Sequence, residues 1–203
     1  FRAIAPIPLM VPTTNRVRII GGRHRGRLLR FPGVPGLRPT PDRVRETLFN
    51  WLGQDLAGRT TLEPYAGSGA MSLEALSRGA TLAVAVDRHP ALVRALADNA
   101  RLFGAEGLET HRADARAFID RETRRFDVIF LDPPFAEDPW DWLLPACAAR
   151  LAEGGVIYAE AGRALAPPPG LEVVRAGRAG QVHYHLLRRT GAPSPPPEGG
   201  PSP

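Results

Sequence analysis

The chain has 203 residues, of which 43% are hydrophobic, and a formal net charge of +5, so it is long enough for one globular domain with a real core. No apolar run approaches the length needed to cross a bilayer, and Pro6, Pro8 and Pro12 interrupt the apolar first segment, which predicts no signal-peptide helix there. Cys147 is the single cysteine, which excludes an internal disulfide and a cysteine-cluster metal site, and we expect a cytoplasmic protein without a metal.

The first part of the chain is strongly basic. All 26 basic residues are arginines; the first 60 residues contain 11 of them against three acidic residues, a net charge of +8, whereas the remainder carries −3. The absence of lysine is typical of codon bias, because alanine, glycine and proline are also abundant, although guanidinium groups bind phosphates and stack on bases better than ammonium groups. The charge distribution predicts a polyanion-contacting segment joined to a mildly acidic body.

The basic segment contains strand and helix signals. Residues 16–30 predict two short strands around a glycine-rich turn. A helix follows, with Thr40 predicted as its N-cap, Pro41 at the first helical position and Asp42 in the first turn. The buried face of this helix is predicted from four apolar residues at helical spacing, namely Val44, Leu48, Trp51 and Leu52.

From Thr60 onward, strands alternate with helices. The predicted strands are Thr60–Glu63, Thr81–Val86, Leu108–Arg112, Phe126–Leu131, Val156–Ala159, Leu171–Ala176 and Gln181–Leu187. The predicted helices run from the first glycine loop to about Arg78, over Pro90–Phe103, shortly after Asp114, and near Trp140–Leu151. This alternation predicts an α/β fold with a doubly wound, mostly parallel sheet, whose last two strands form an antiparallel pair.

We predict four segments along the chain. Residues 1–15 form a flexible N-terminal segment, residues 16–58 a small basic strand–helix extension, and residues 59–189 the α/β domain. Residues 190–203 contain six prolines and no aliphatic side chain beyond alanine. Such a segment cannot bury enough apolar surface to offset the entropy of ordering, so we predict a disordered, proline-rich tail.

Residues that suit a nucleoside follow three of the predicted strands. In doubly wound sheets, ligands bind beyond the carboxyl ends of the strands, where the strand order reverses. Gly67-Ser68-Gly69 would let a ligand approach the backbone closely, Asp87 could accept hydrogen bonds from two ribose hydroxyls, and Asp114 could accept from an adenine amino group. Each has a structural alternative: turn geometry for the glycines, an exposed acid at a helix start for Asp87, and a helix cap for Asp114.

The glycine loop does not match the usual phosphate-binding patterns. Position 72 is serine, so G-x-G-x-x-G is not formed, and the chain has no lysine for a G-K-[ST] loop. A pyrophosphate ligand is therefore disfavoured. A nucleoside with a charged amino-acid arm fits better, with Glu63 facing the ammonium group of the arm.

Asp132-Pro133-Pro134-Phe135 follows the most apolar strand. The two prolines stiffen the turn and cannot donate hydrogen bonds, so the Asp132 carboxylate and the Pro133 carbonyl can both point into the site as acceptors. Two acceptors would hold the hydrogens of an exocyclic amine and leave its lone pair free, while Phe135 offers a face on which a base can stack. The structural alternative is a proline-rich turn that merely leaves a buried strand.

Two groups of motifs carry a family resemblance. Glu63-Pro64-Tyr65-Ala66-Gly67-Ser68-Gly69 with Asp132-Pro133-Pro134-Phe135 resembles the Rossmann-type amino methyltransferases. The bacterial 16S rRNA guanine-N2 methyltransferase family is resembled more narrowly by Arg18-Ile19-Ile20-Gly21-Gly22-x-x-Arg25-Gly26-Arg27 and by Leu37-Arg38-Pro39-Thr40-x-x-Arg43-Val44-Arg45-Glu46-Thr47-Leu48-Phe49-Asn50-Trp51-Leu52. The resemblance runs from about residue 16 to 160. The chain departs from it at Glu63-Pro64-Tyr65, where an Asp and a Phe are more usual.

The resemblance implies S-adenosylmethionine as the methyl donor and a guanine of small-subunit ribosomal RNA, naked or in an assembly particle, as the substrate. We expect the donor at Glu63, Tyr65, Gly67, Ser68, Gly69, Asp87, Arg88, Asp114 and Ala115. We expect the target base, flipped or already unpaired, at Asp132, Pro133, Pro134 and Phe135. We expect the extension to grip RNA phosphates through Arg18, Arg23, Arg25, Arg27, Arg38 and Arg43. The segment 59–189 is then the methyltransferase domain, and we expect a monomer that contacts no membrane.

Three alternatives stay open. A DNA adenine-N6 or other base-amino methyltransferase could use the same four-residue motif, although the basic extension and the lack of a DNA-recognition domain disfavour it. A non-catalytic RNA-binding assembly factor could keep the fold, and failure to bind the donor would favour it. A small-molecule methyltransferase would leave the net charge of +8 in the first 60 residues unexplained.

Overall fold

The computed structural model describes residues 14–37 and 39–191. Within these ranges the strands are β1 Thr14–Arg18, β2 Leu28–Pro32, β3 Thr60–Glu63, β4 Leu82–Asp87, β5 Leu108–Arg112, β6 Phe126–Leu131, β7 Leu151–Ala161, β8 Leu171–Ala179 and β9 Val182–Arg189. The helices are α1 Asp42–Trp51, α2 Ala70–Ser77, α3 Pro90–Phe103, α4 Ala115–Arg121 and α5 Trp140–Ala148. No helix among the described residues has the length and apolar character that a membrane span requires.

The strands from β3 to β9 form one sheet in the order β5-β4-β3-β6-β7-β9-β8. The five strands from β3 to β7 run parallel, whereas β9 is antiparallel to β7 and β8 is antiparallel to β9. The strand order reverses between β3 and β6, which is the point where doubly wound sheets bind ligands. The predicted fold class, including the antiparallel C-terminal pair, is confirmed.

Both faces of the sheet are covered. Along β6, Val128 and Phe130 belong to the apolar layer that contains residues of α1, α2, α3 and the β1–β2 hairpin. Ile129 and Leu131 belong to the layer that contains residues of α4 and α5. Because successive side chains of a strand point to opposite faces, a strand buried on both sides must be almost wholly apolar, as β6 is.

The basic extension packs onto the sheet rather than standing apart from it. Val17 and Leu29 of the hairpin and Phe49 of α1 belong to the same buried cluster as Phe130 of β6. Of the four residues predicted to form the buried face of α1, Val44, Leu48 and Trp51 are buried, whereas Leu52 follows the end of the helix and is only partly buried. The extension therefore supplies part of the layer that covers one face of the sheet.

Glu74 of α2 connects the hairpin and α1 to the sheet. Its carboxylate is fully buried and accepts hydrogen bonds from the backbone amides of Ile20 (2.9 Å) and Gly21 (2.7 Å) and from Nε of Arg78 (2.9 Å). Nη1 of Arg45, which is also fully buried, lies 3.4 Å from the same carboxylate. This cluster was not predicted from the sequence.

Thr40 is not the N-cap of α1, so that prediction was wrong. Pro41 occupies the cap position without a side-chain capping hydrogen bond. Oγ1 of Thr40 instead donates to Oε1 of Glu160 at 2.8 Å. A distant acceptor thus competes successfully with the local backbone for this hydroxyl.

The bounds of α5 and β7 also differ from the prediction. The helix ends at Ala148, and Leu151 already pairs with Phe126 as the first residue of β7. The register between β6 and β7 shifts between Phe126 and Val128. Gly154-Gly155 interrupts the apolar pattern of β7 at this irregularity, so the pattern did not show that the strand begins at Leu151. At the chain ends, β1 begins two residues before the predicted boundary at 16, and most of the predicted flexible segments 1–15 and 190–203 lie outside the described residues.

Candidate functional site

The acidic residues predicted to bind a ligand lie at one edge of the sheet. Glu63 ends β3, Asp87 ends β4 and Asp132 follows β6 directly, so all three lie at the carboxyl ends of parallel strands. β3 pairs with both β4 and β6, which places the three carboxyl ends side by side. The structure therefore brings them together at the switch point of the sheet.

The glycine loop between β3 and α2 has a conformation that requires glycine. Gly67 and Gly69 have φ angles of +52° and +73°, a region that L-residues rarely adopt. A Cβ atom on Gly69 would lie 2.2 Å from a methyl carbon of Leu96, so this position could not carry a side chain without repacking. Ser68 between them is buried. The loop lies against Leu37, since a Cβ on Gly67 would approach Cδ1 of Leu37 to 2.8 Å.

Glu63 is buried beneath this loop. Its carboxylate accepts hydrogen bonds from the backbone amide of Ser72 (3.0 Å) and from the Ser72 hydroxyl. Burial, together with the charges of Asp87 and Glu160, raises the pKa of Glu63 to about 8 against the lowering effect of the Ser72 hydrogen bonds. The serine that breaks the dinucleotide pattern thus holds Glu63, a role that the sequence did not reveal.

Asp87 orders the backbone around the loop. Oδ2 accepts a hydrogen bond from the amide of Gly67 at 2.9 Å, and Oδ1 accepts from the amide of His89 at 2.7 Å. Each carboxylate oxygen can accept more than one hydrogen bond, so Asp87 keeps acceptor capacity toward a ligand. Asp114 caps α4, with Oδ1 accepting from the amide of Ala117 at 3.0 Å. Asp114 is therefore a helix cap, which was the structural alternative for this residue, and Oδ2 of Asp114 takes no part in the capping hydrogen bond.

Two small cavities lie at this edge. One, of about 120 Å³, is lined in part by Asp87, Arg88, Asp114 and Ala115, and the other, of about 60 Å³, in part by Glu63 and Ser68. The residues that line both cavities are Leu37, Tyr65, Gly67 and Asp132. All predicted donor-binding residues except Gly69 therefore line one cavity or the other.

The rim of the larger cavity includes an ion pair. Nη1 of Arg88 lies 3.3 Å from Oε1 of Glu137, and both side chains are largely exposed. Tyr65 is half-buried, and burial raises its pKa above the ordinary range. Glu137 and Leu37 were not predicted as site residues; Glu137 lies only two residues after Phe135, and this spacing was the available signal.

The Asp132–Phe135 turn presents different side chains to the site and to solvent. Asp132 is partly buried and lines both cavities, whereas Phe135 has 48% of its surface exposed. Burial, followed by the neighbouring carboxylates of Glu160 and Glu63, raises the pKa of Asp132 well above its usual value. Pro134 and Phe135 also line a separate hollow of about 300 Å³ that contains Arg163. The turn thus stands between the interior cavities and an open aromatic surface.

Glu160 is a further acidic residue of this edge that was not predicted. It is buried, with 3% of its surface exposed, and its Oε1 accepts hydrogen bonds from Oγ1 of Thr40 (2.8 Å) and the hydroxyl of Tyr158 (3.0 Å). The predicted strand ended at Ala159, one residue before Glu160 and two before the end of β7 at Ala161. An acid at the end of an apolar strand was the signal, and it resembles the signal that identified Asp132.

The predicted RNA-contacting arginines do not form one surface. The hairpin turn containing Arg23 and Arg25 packs on Ser77 at the C-terminal end of α2, and Arg27 stacks 5.2 Å from the ring of Phe103 at the end of α3. These helix ends lie at the amino edge of the sheet, opposite the acidic site. A hollow of about 1100 Å³ at that edge is lined in part by Arg23 and Arg25.

The remaining predicted arginines lie elsewhere. Arg18 is exposed on the outer face of the hairpin, beside a hollow of about 340 Å³ that Thr40 also lines. Arg43 is exposed at the start of α1, and Arg38 lies outside the described residues. The outer hairpin face also carries Arg16 and Arg30, which pair directly across the two strands and were not predicted.

The acidic cluster fits a cationic ligand. None of the ion pairs between described residues includes Glu63, Asp132 or Glu160. The described part of the chain also places no group of three or more His, Cys, Asp or Glu side chains so that it could hold a metal ion. Buried carboxylates without a countercharge can accept a cationic group of a ligand, and S-adenosylmethionine carries an ammonium and a sulfonium group.

Comparison with known proteins shows the family to which the chain belongs. The sequence model of the family described as "Conserved hypothetical protein 95" matches residues 17–188. The chain belongs to this family. The match begins within β1 and ends within β9, so the family includes most of the basic extension as well as the α/β domain.

Named relatives of this family member are methyltransferases of ribosomal RNA. Ribosomal RNA small subunit methyltransferase D of Escherichia coli K12 is 36% identical over 181 residues, which cover 87% of this chain and 91% of the relative. The protein of the same name from Haemophilus influenzae is 33% identical over 86% of this chain and 94% of its own. The solved structure of "Putative methyltransferase yhhF from Escherichia coli" superimposes with a TM-score of 0.78 at 37% identity, covering 86% of this chain and 98% of that one.

Proposed function

We propose that this protein transfers the methyl group of S-adenosylmethionine to the exocyclic N2 amino group of a guanine in small-subunit ribosomal RNA. The relatives support methyl transfer to ribosomal RNA, and the fold and the relatives imply S-adenosylmethionine as the cofactor. The position of Asp132 carries the proposal: it lies at the switch point, lines both cavities, and precedes two prolines and an exposed phenylalanine. The choice of guanine N2 rests on the motif resemblance between residues 16 and 160.

Donor binding is proposed for the residues that line the two cavities. Glu63 would pair with the ammonium group, and Asp87 would accept from the ribose hydroxyls while it holds the Gly67 amide. Asp114 would present to the adenine the oxygen that does not cap α4. When bound, S-adenosylmethionine supplies an electrophilic methyl group, and the chain's own residues position the acceptor.

Catalysis would come from Asp132 and the carbonyl of Pro133. Both are acceptors, so they can hold the two hydrogens of the amine and aim its lone pair at the methyl group. The carboxylate would also stabilise the positive charge that develops on the nitrogen during transfer. Phe135 would stack on the base outside the cavity, where its ring is exposed.

RNA contact is proposed for the outer face of the hairpin and the start of α1. Arg16 and Arg30 lie directly opposite each other across the strands, and like charges in this position destabilise a hairpin. Phosphate groups would relieve that repulsion. Arg18 extends the same basic surface toward Thr40, which is hydrogen-bonded to Glu160 at the acidic site. Arg43 is exposed in the first turn of α1 and would add a further phosphate contact.

Single-turnover methyl transfer from labelled donor to the RNA substrate, with and without the Asp132 carboxylate, tests the proposal. We expect Asp132→Ala to reduce the transfer rate by about a hundred- to a thousandfold and Asp132→Asn, which keeps one acceptor, to retain more activity. Asp98→Asn, in an exposed ion pair on α3, is the control that should leave the rate unchanged. The product nucleoside is identified by mass spectrometry, with melting temperature and donor binding measured in parallel.

The product distinguishes the alternatives. N2-methylguanosine at one position of 16S RNA supports the proposal, and that position should be unmodified in a strain that lacks the gene. N6-methyladenosine would replace it with an adenine methyltransferase. A protein that binds RNA but neither the donor nor its demethylated product would instead be an assembly factor. An Asp132→Ala variant that transfers methyl at the wild-type rate would refute the mechanism.

A further inference from the structure

Glu160 and Asp132 occupy neighbouring positions at the ends of adjacent parallel strands. The last residue pair in the register of β6 and β7 is Leu131–Ala159, so Asp132 and Glu160 are the next pair along. Neighbouring strands lie about 4.8 Å apart, and side chains alternate between faces. Phe130 and Tyr158, two residues earlier, point to the face covered by α1, so Asp132 and Glu160 point to that face too.

The two carboxylates differ in their hydrogen bonds. Oε1 of Glu160 accepts from the hydroxyls of Thr40 and Tyr158, and both donors favour the ionised form of Glu160. Among the residues that the structure describes, no side chain or backbone amide donates to the carboxylate of Asp132. A proton that enters this pair is therefore held better by Asp132 than by Glu160.

We propose that Glu160 acts with Asp132 as a carboxylate pair, in which Asp132 accepts the proton that the methylated amine loses and Glu160 keeps a negative charge beside it. The inference rests on the proposed function. In the transfer, the amine lone pair forms the N–C bond, the S–CH₃ bond breaks with its electrons remaining on sulfur, and one N–H proton passes to a carboxylate oxygen of Asp132. Glu160 does not touch the substrate; it is a positioning residue that acts through Asp132.

Other groups also face the pair. Glu63 of β3 contributes a second negative charge beside Asp132, Tyr158 of β7 donates to Glu160, and Tyr184 of β9 lies opposite Glu160 in the register. From the segment before α1, the hydroxyl of Thr40 donates to Glu160. Burial raises the pKa of both Asp132 and Glu160, and Glu160 raises that of Asp132 further.

The first test uses the ligand-free protein and does not depend on activity. A carboxyl whose pKa is raised by folding contributes stability at low pH that is lost as pH rises through the folded-state pKa. We therefore expect the melting temperature of the wild type to fall between pH 5 and pH 8.5. Asp132→Asn and Glu160→Gln should each melt higher than the wild type at pH 8.5, by roughly 3–5 °C for each unit of pKa shift removed.

A double-mutant cycle shows whether the two carboxylates act on each other. At pH 8.5 the double variant should gain less than the sum of the single gains, because either substitution alone removes the repulsion between the two carboxylates, whereas the relief of their separate burial costs is additive. Glu153→Gln is the matched control, since Glu153 is exposed on the same strand at its other end, and it should change nothing. Additive gains from the two substitutions would overturn the proposal.

The second test follows the pH dependence of single-turnover transfer. Transfer is fastest when Asp132 is ionised, so the rate falls on the acid side. Glu160→Gln should move that fall to lower pH by about 1–2 units, whereas Glu153→Gln should not move it. An unchanged profile in a folded Glu160→Gln variant would overturn the proposal. If Glu160→Gln does not fold, the melting of Asp132→Asn tests the proposal instead. If the melting temperature of Asp132→Asn depends on pH as that of the wild type does, Asp132 does not hold the proton and the proposal is overturned. If the wild type makes no N2-methylguanosine, the proposed function fails, and the melting cycle still decides the pair.

Discussion

Substitution of Glu74 by Gln should destabilise the protein strongly although it leaves the shape of the side chain unchanged. The buried carboxylate accepts four hydrogen bonds, from two backbone amides of the segment after β1, from Arg78 and from Arg45. Glutamine has one acceptor oxygen and adds a donor, so at least one of these donors would face an NH₂ group. Arg45 would also lose its buried countercharge.

The expected loss is near the lower end of the range for a broken buried ion pair, about 3 kcal/mol. It is not larger, because Nη2 of Arg45 keeps Oδ1 of Asp42 at 2.6 Å and the carbonyl of Arg18 at 2.7 Å. For a protein of this size the loss corresponds to a fall in melting temperature of roughly 6–12 °C. Trypsin should also cleave faster after the hairpin arginines in the variant, because the hairpin loses its attachment to α2.

Urea unfolding and thermal melting measure the loss, and Asp98→Asn provides the comparison. Asp98 forms an exposed ion pair with Arg101, with side chains 66% and 82% exposed, and its loss should cost about 0.5 kcal/mol or less. A Glu74→Gln variant that melts within 2 °C of the wild type would show that the cluster does not secure the extension. Unchanged trypsin cleavage with a large loss of stability would show that the hairpin stays attached by its apolar contacts.

Two further predictions concern the donor and the RNA. The pKa of Glu63 is raised to about 8, so below that pH a proton competes with the ammonium group of the donor for the Glu63 carboxylate. Donor affinity measured by calorimetry should therefore weaken from pH 8 to pH 6, by up to about tenfold per pH unit. Glu63→Gln should bind the donor more weakly and lose this pH dependence, whereas a wild-type affinity that does not change between pH 8 and pH 6 would contradict the assignment. Replacement of Arg16, Arg18 and Arg30 together should weaken RNA binding and reduce the slope of log K against log salt by about 0.7–0.9 per lost phosphate contact, with donor binding unchanged. The matched replacement of Arg23, Arg25 and Arg27 at the amino edge of the sheet should reduce this slope less. If the second replacement reduces the slope more than the first, RNA contact belongs to the amino edge.

Local patterns were sufficient to predict much of the architecture. β3, α3, β5 and β6 have the predicted bounds, because α3 has apolar residues at helical spacing and ends before a glycine, and each of the three strands ends within two residues of an acid or a proline. The site acids Glu63, Asp87 and Asp132 were found for the same reason. A charged residue at the end of an apolar strand interrupts the core pattern, and in a parallel sheet all the carboxyl ends of the strands lie at one edge.

Contacts between distant parts of the chain could not be predicted in this way. Thr40 is of a residue type that favours the N-cap and precedes the proline before α1, yet its hydroxyl donates a hydrogen bond to Glu160, 120 positions away. The sequence contains the acid and the hydroxyl but nothing that pairs them. The predicted start of β7 was wrong for a related reason. The strand continues through a bulge at Gly154-Gly155, where the residue types are typical of a turn.

The basic extension shows how a motif can combine structural and binding residues that the sequence does not separate. Arg43 and Arg45 belong to the same conspicuous segment, but on a helix positions two apart face different directions. Arg45 lies three and four residues before the buried Leu48 and Phe49, so helical spacing places it on the apolar face, and it is fully buried. Its charge is neutralised by Glu74 inside the protein and is not available to a polyanion. The net charge of the first 60 residues therefore overstates the basic surface, and the exposed face of the hairpin, with Arg16 and Arg30 directly opposite each other, is where we propose that RNA binds.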